Sequence, residues 1–253
     1  MPHESIVRVI WGDADTILFT FAGAAAEFAL NRAADWLFFT GNLPRDPFGR
    51  LFSTARFARN ITFVDAATAR RTLDDIRAVH EAVQRRRGAT IPDWAYRDVL
   101  YMLIDYSERS FGLLHRPLTG PERTDLYAVF RRVGEGLAIT DLPATYADWL
   151  DDRRRHLERD LVYSEFTAAL YEQYRHHLGR WRYATLLRVQ SVLVPDLVRR
   201  LLDLDPCRWL PTAVMTYRTL VRISLRPLVH RLIMPPAILP AIRRLDFAET
   251  GFR

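Results

Sequence analysis

The chain of 253 residues contains no lysine, so all 36 of its Lys+Arg side chains are arginine. Arginine used to the exclusion of lysine is what a GC-rich coding sequence produces, and it is not in itself a sign of polyanion binding. Cysteine is nearly absent too. Cys207 stands alone, which excludes an intrachain disulfide and any zinc site built from cysteines, and points to a reducing compartment, the cytoplasm. Long apolar runs are missing: the most apolar N-terminal stretch, Thr16 to Ala26, follows Asp13 and Asp15 and is interrupted by Glu27. It is too short for a membrane span and too acidic at its front for a secretory signal. A Gly-rich phosphate loop, a G-x-S-x-G elbow and an H-E-x-x-H sequence are also missing, which removes the simple kinase, hydrolase and zinc-peptidase readings.

The net charge is +6, but it is unevenly spread. Residues 1–174 carry 22 Arg against 25 acids, net −3, and residues 175–253 carry 14 against 5, net +9. Basicity alone does not make a nucleic-acid binder; that needs a reading element, and neither a helix-turn-helix nor interleaved aromatic and basic residues are found.

Apolar residues recur at three and four nearly everywhere, and no hairpin dipeptide sits between alternating runs, so an all-α fold is expected. The predicted helices are Asp15–Leu37, buried nearly all round; a short one opened by Asp46-Pro47 and ending near Arg59; one capped by Asp65 and stopped at Arg85-Arg86-Arg87-Gly88; and Pro92–Leu114. Thr119 and Glu122 form a capping box for a helix to about Leu137. Leu142-Pro143 opens the next, to about Leu157, and Ser164–Leu178 ends at Gly179. Further helices are broken by Pro195, Pro206 and Pro211. With no linker of Gly/Ser or Pro character, residues 1–253 are expected to form a single globular multi-helix domain.

Three residues stand out chemically. Leu73, Ile76, His80 and Val83 are spaced three, four and three, so His80 replaces an apolar side chain on a core-facing stripe. A buried imidazole needs a partner for each nitrogen, so His80 is either a hydrogen-bonded core histidine or a metal or cofactor ligand. Arg50 and Thr54, at i and i+4, present a guanidinium and a hydroxyl on one helix face, with Phe48 and Phe52 on a neighbouring face that can pack inward. Arginine suits a carboxylate such as a haem propionate. Other pairs are weaker: Glu172 and His176 lack the second Glu-x-x-His of a di-iron bundle, His176 and His177 diverge, and Asp105 with Glu108 is read as a shared site or an exposed acidic face.

The run Asp46-Pro-Phe-Gly-Arg50-Leu-Phe-Ser-Thr54, then Ile76-Arg-Ala-Val-His80-Glu-Ala-Val83, Arg116-Pro-Leu-Thr-Gly-Pro-Glu122 and Leu142-Pro-Ala-Thr145 resembles the rubber oxygenase catalytic-domain family. That family includes the latex-clearing proteins and the MpaB-type oxygenase. The similarity covers about residues 15–205. It implies a globin-like helical fold holding one haem b, with His80 as the axial iron ligand and Arg50 and Thr54 in the haem pocket as catalytic and cofactor-binding residues. It also implies dioxygen as co-substrate and oxidative cleavage of C=C bonds in an unsaturated, isoprenoid-like substrate. The alternative is a helical haem- or lipid-binding protein without turnover. The chain departs from the family pattern at Asn31-Arg32, where many relatives have His-Pro, and at Asp98-Val99-Leu100, where they have Trp-Val-His. A lysine that caps the distal iron in the latex-clearing type has no counterpart here.

Beyond about Asp205 only the residues speak. Arg218, Arg222 and Arg226 at i, i+4 and i+8 form a stripe flanked by Leu220, Val221, Ile223 and Leu225. About residues 213–245 therefore read either as a basic amphipathic segment lying on an anionic membrane surface or as a segment packed on the body with its arginines in solvent.

Overall fold

The computed structural model describes residues 5–40, 47–207, 209–222 and 225–245. The described residues form thirteen α-helices and one 3-10 turn, with no strand; the only β pairing among them is an isolated antiparallel bridge between Asn31 and Leu161. The helices are α1 (Ile6–Gly12), α2 (Ala14–Leu30), α3 (Ala34–Thr40), α4 (Pro47–Thr62), α5 (Ala66–Arg87), α6 (Asp93–Leu114) and α7 (Gly120–Gly136). There follow α8 (Tyr146–Asp160), α9 (Glu165–Leu193), α10 (Asp196–Leu201), α11 (Leu210–Arg222), α12 (Arg226–Ile233) and α13 (Leu239–Arg243).

The expected punctuation is present where it is local. The Asp65 carboxylate accepts from the Thr68 N–H at the start of α5, and Gly88 ends that helix at φ 69°, a left-handed position that favours glycine. Thr119 and Glu122 form the reciprocal capping box of α7, where the Arg116 guanidinium and the Thr119 N–H hold the Glu122 carboxyl down at about 2. Other boundaries moved. The single helix expected over Asp15–Leu37 is two: α2 stops at Leu30, and Asn31 turns extended to pair with Leu161 while its side chain donates to Asp98. The helix expected from Leu142-Pro143 begins at Tyr146, because Thr145 rather than Pro143 supplies the cap, accepting from the Asp148 N–H. Gly179 (φ 71°, ψ 171°), by contrast, breaks α9 where its end was expected, and the helical segment that follows to Leu193 folds back on the first: Tyr171 donates to Gln190 Oε1 at 3.0 Å, where a straight helix would hold residues 19 apart at about 28 Å.

Helices α2 and α6 make the most extensive pairing among the described residues, and α9 packs on α2 and, to a smaller extent, on α6. Helix α2 is buried on almost every face, as expected. Its Gly23 lets the Tyr106 ring of α6 lie where a Cβ would be. The same interface contains charge. The Arg153 guanidinium of α8 donates to both Glu27 oxygens of α2, at 2.6 and 2.5 Å, and to Asp105 of α6 at 3.1 Å, with Arg153 4% and Glu27 1% exposed. Tyr106 donates to Glu27 at 2.9 Å, and Arg109 to Asp105 at 2.6 Å. Burial alone would raise the Asp105 pKa; the charges of Arg153 and Arg109 outweigh it and hold the carboxyl below its ordinary value.

Asp105 is thus neither half of a shared site with Glu108 nor part of an exposed acidic face. Glu108 turns to a separate pair, accepting from Arg123 at 2.6 Å and from Tyr146 at 2.8 Å. Three facing helices, each supplying an ionic partner, replace the bland exterior that i, i+3 spacing suggests. Removing one partner of a buried ion pair strands the others without solvent. Arg153→Met is expected to lower the unfolding free energy by about 3–5 kcal/mol, and Gly23→Ala by about 1–3 kcal/mol through overpacking, both measured by urea denaturation.

Candidate functional site

The Ile76, His80, Val83 stripe of α5 does not meet packed core. It faces a cavity of about 540 Å³ bounded by α2, α4, α5 and α6. This explains why His80 is half-buried rather than buried, and why Thr72 is the only fully buried residue of α5. The 3.6-residue period identified the inward face correctly, but what lies inward is space. Cavities of this size fall in the range of about 300–1,000 Å³ usual for small-molecule and cofactor sites.

Thr54 of α4 lines the same cavity, with Phe52, Phe57, Ala58 and Ile61 from its own helix, and Ala95, Tyr96, Val99 and Leu100 from α6. The other polar atoms of the described lining belong to aromatic side chains: Trp11, Trp36, Tyr96 and Tyr174. No carboxylate or guanidinium is among the described lining residues. The Tyr96 ring packs on the His80 imidazole with centroids 5.1 Å apart at 57°, and burial, then Asp93 and Glu81, raise the Tyr96 pKa and keep its phenol protonated. Trp11 also has a buried indole N–H with no acceptor among the described residues. Arg50 is on α4, one turn before Thr54, and its side chain, like that of Phe48, lies outside the described residues.

The C-terminal third contributes to the wall as well, which the sequence did not signal. Met234 and Ile238 line the cavity, more than 150 residues from His80 in the chain. An ionic cluster holds them there. Arg226 pairs with Asp13 at 2.7 Å and Asp15 at 2.7 Å, His230 Nε2 is 2.6 Å from Asp15 Oδ1, and Tyr217 donates to Asp15 at 2.6 Å. Arg182 Nε donates to the Ile233 carbonyl at 3.1 Å.

Two readings of this region are therefore corrected. Arg226 is not a solvated arginine on the stripe: it is 18% exposed and bound to two carboxylates at the start of α2. Nor do Arg218, Arg222 and Arg226 share one helix, since α11 ends at Arg222 and α12 begins at Arg226. A second depression of about 310 Å³, lined by Gly49, Phe52, Ser53, Arg56, Ala241, Arg244 and Leu245, adjoins the first through Phe52.

The model of the family described as ER-bound oxygenase mpaB/B'/rubber oxygenase, catalytic domain, matches residues 10–225. The chain belongs to this family. The match extends beyond the motif-bearing region through α11 and ends just before Arg226. No curated protein and no solved structure matches the chain. Membership of the mpaB/rubber oxygenase family makes the chain an oxygenase catalytic domain by family and implies dioxygen as the oxidant, and the apolar wall suits an apolar small molecule. No helix among the described residues is long and apolar enough to cross a membrane.

The clamp that holds the C-terminal wall is sensitive to acid. Burial acts to raise the Asp13 pKa, but the His115 hydrogen bond, the Arg226 charge and the Thr16 hydroxyl and N–H hold it well below the ordinary 3.8. A carboxyl with a depressed folded-state value stabilises the fold above its unfolded value, and that contribution is lost as pH falls through the folded one. Asp13→Asn is therefore expected to flatten the loss of stability below the ordinary value of 3.8, read from urea midpoints measured against pH.

Proposed function

We propose that the chain is a haem b-dependent oxygenase acting on an unsaturated, isoprenoid-like substrate by oxidative C=C cleavage, with His80 as the axial iron ligand and Arg50 and Thr54 in the pocket. One observation carries this reading: His80 and Thr54, 26 positions apart on separate helices, open into one apolar cavity in which no other histidine or aliphatic hydroxyl is found among the described lining residues. The residues present fit the group. An imidazole suits iron, the apolar wall suits the faces of a macrocycle, and the acceptor-less Trp11 N–H supplies a donor in the wall.

Haem b, when bound, supplies the redox-active iron for dioxygen chemistry. The protein supplies everything around it. His80 offers a ring nitrogen, and the Tyr96 ring packed on it restricts the orientation of the imidazole. Thr54 offers a hydroxyl that can donate to or accept from a polar atom in an otherwise apolar space. Arg50 is assigned the anionic edge of the cofactor, a task that falls to arginine in a chain without lysine. Phe52, Phe57, Ile61 and Leu100 give an alkene an apolar surface to bury against.

A second reading, a haem- or lipid-binding protein without turnover, is favoured by one specific feature: no carboxylate among the described lining residues is placed to act as a base. Oxygen uptake separates the two. The oxygenase reading expects isoprenoid-dependent uptake that falls at least about tenfold in Thr54→Val, one to two good hydrogen bonds' worth, and that disappears in His80→Ala together with the haem. Haem retention by wild type with no uptake on any isoprenoid supports the second reading.

Contact with an anionic membrane surface through about residues 213–245 belongs to the same proposal. Met215, Leu225, Leu228 and Leu232 are exposed on this segment, beside a net charge of +9 in residues 175–253. The expected result is co-sedimentation with anionic but not neutral liposomes at low salt. A cytoplasmic location is consistent with the single, half-buried Cys207.

A further inference from the structure

Behind the cavity, at the junction of α2, α6 and α8, lies a second group of donor atoms. Asp98 on α6 and His156 and Asp160 on α8 converge with exposures of 2%, 2% and 3%, and none of them lines the cavity. His156 Nδ1 is in hydrogen-bond contact with Asp98 Oδ1 and lies 3.1 Å from Asp160 Oδ2. One ligand atom from each of the three residues lies within 4.8 Å of the other two. At metal–ligand bonds of about 2.0–2.2 Å, neighbouring ligand atoms stand about 3–3.5 Å apart; the 3.1 Å between His156 Nδ1 and Asp160 Oδ2 has this spacing, and the direct Asp98 hydrogen bond must open slightly for an ion to replace its proton.

We propose that Asp98, His156 and Asp160 form a site for a divalent first-row ion of the Zn²⁺ or Mn²⁺ class, separate from the haem cavity. The deciding feature is the number of protons. Nδ1 carries at most one proton, yet carboxylate oxygens from two helices converge on it inside the protein. One N–H cannot serve both well, whereas a cation in its place serves both; Arg159 supplies a positive charge to Asp160, which leaves the buried Asp98 carboxyl without a cation of its own. An imidazole with two carboxylates is the nitrogen and oxygen donor set that Zn²⁺, Fe²⁺ and Mn²⁺ accept, and no thiolate is nearby to select a softer ion.

The surroundings orient these ligands as the outer contacts of a metal site do. Asn31 Nδ2 donates to the other Asp98 oxygen at 2.6 Å. Arg159 donates to Asp160 Oδ1 at 2.7 Å and Oδ2 at 2.6 Å, and each of these oxygens keeps a second lone pair. The Tyr101 ring stands edge-on to His156 with centroids 5.2 Å apart, and its hydroxyl donates to Asp152, whose Oδ2 is 3.6 Å from His156 Nε2. The site would join the end of α2, through Asn31, to α6 and α8.

The test is calorimetric titration of the purified, chelator-treated full chain with Zn²⁺ and with Mn²⁺, alongside the thermal midpoint with and without each ion. Expected is one ion per chain and a raised midpoint in wild type, binding at least about 100-fold weaker in Asp160→Asn and His156→Gln, and roughly 10- to 100-fold weaker in Asn31→Ala. Because the midpoint of wild type needs no variant, misfolding of a ligand variant leaves the test intact. No ion bound and an unmoved midpoint in wild type overturn the proposal. So does binding that is unchanged in a folded Asp160→Asn, which would place the ion elsewhere. The haem spectrum is not read, so failure here is distinct from failure of the oxygenase reading.

Discussion

The architecture depends on the buried guanidinium of Arg153, shared between Glu27 and Asp105. It is the point at which α2, α6 and α8 are held in register, and α2 and α6 together form the back wall of the cavity. Such a network is weak evidence of stability in itself, because taking its charges out of water is costly. Its effect is directional. A bidentate fork allows little sliding of α8 over α2, and Gly23 under the Tyr106 ring holds α2 against α6 at a separation that no larger residue permits.

With that back wall set, the front wall cannot close by ordinary packing. Helix α5 carries an apolar stripe but leaves it facing a void, and the ends of the void are finished by α4 and by Met234 and Ile238 from the far end of the chain. A protein that keeps about 540 Å³ of apolar space forgoes the dispersion contacts that would fill it. Under the proposed function, the cofactor and substrate restore those contacts. The same constraint explains why the C-terminal segment is clamped ionically: Arg226 and His230 meet Asp13 and Asp15 at the N-terminal end of α2, where carboxylates already favour the helix dipole. The surplus positive charge of the last third therefore has an internal use at Arg226 and Arg182, while Arg231 remains exposed on the helix of Arg226.

What the sequence made legible was local. Asp65 and Gly88 bound α5 as their chemistry requires, Thr119 and Glu122 cap α7, and the three-four spacing around His80 identified the face that turns inward. Order along the chain did the rest: short motifs from Asp46 to Thr145 point to the family whose model matches residues 10–225. What stayed hidden was set by partners distant in sequence. The break after Leu30 is decided by Leu161 and Asp98, not by a helix stop signal in Asn31-Arg32-Ala33. Glu27 and Arg153 are 126 residues apart, and periodicity cannot pair them. Asp98, His156 and Asp160 read as ordinary polar positions until α6 and α8 are laid together. Arg226 falls on the arginine stripe only if one helix continues past Arg222, and at Leu225 the chain is not helical.

The central claim, that the cavity under His80 is a haem site, is tested most directly by the absorption spectrum of the purified full-length chain after haem reconstitution. The account predicts a Soret band and a pyridine haemochrome of the b type at one haem per chain, both lost in His80→Ala. A protein that remains colourless after reconstitution, or one whose Soret band is unchanged in His80→Ala, contradicts it.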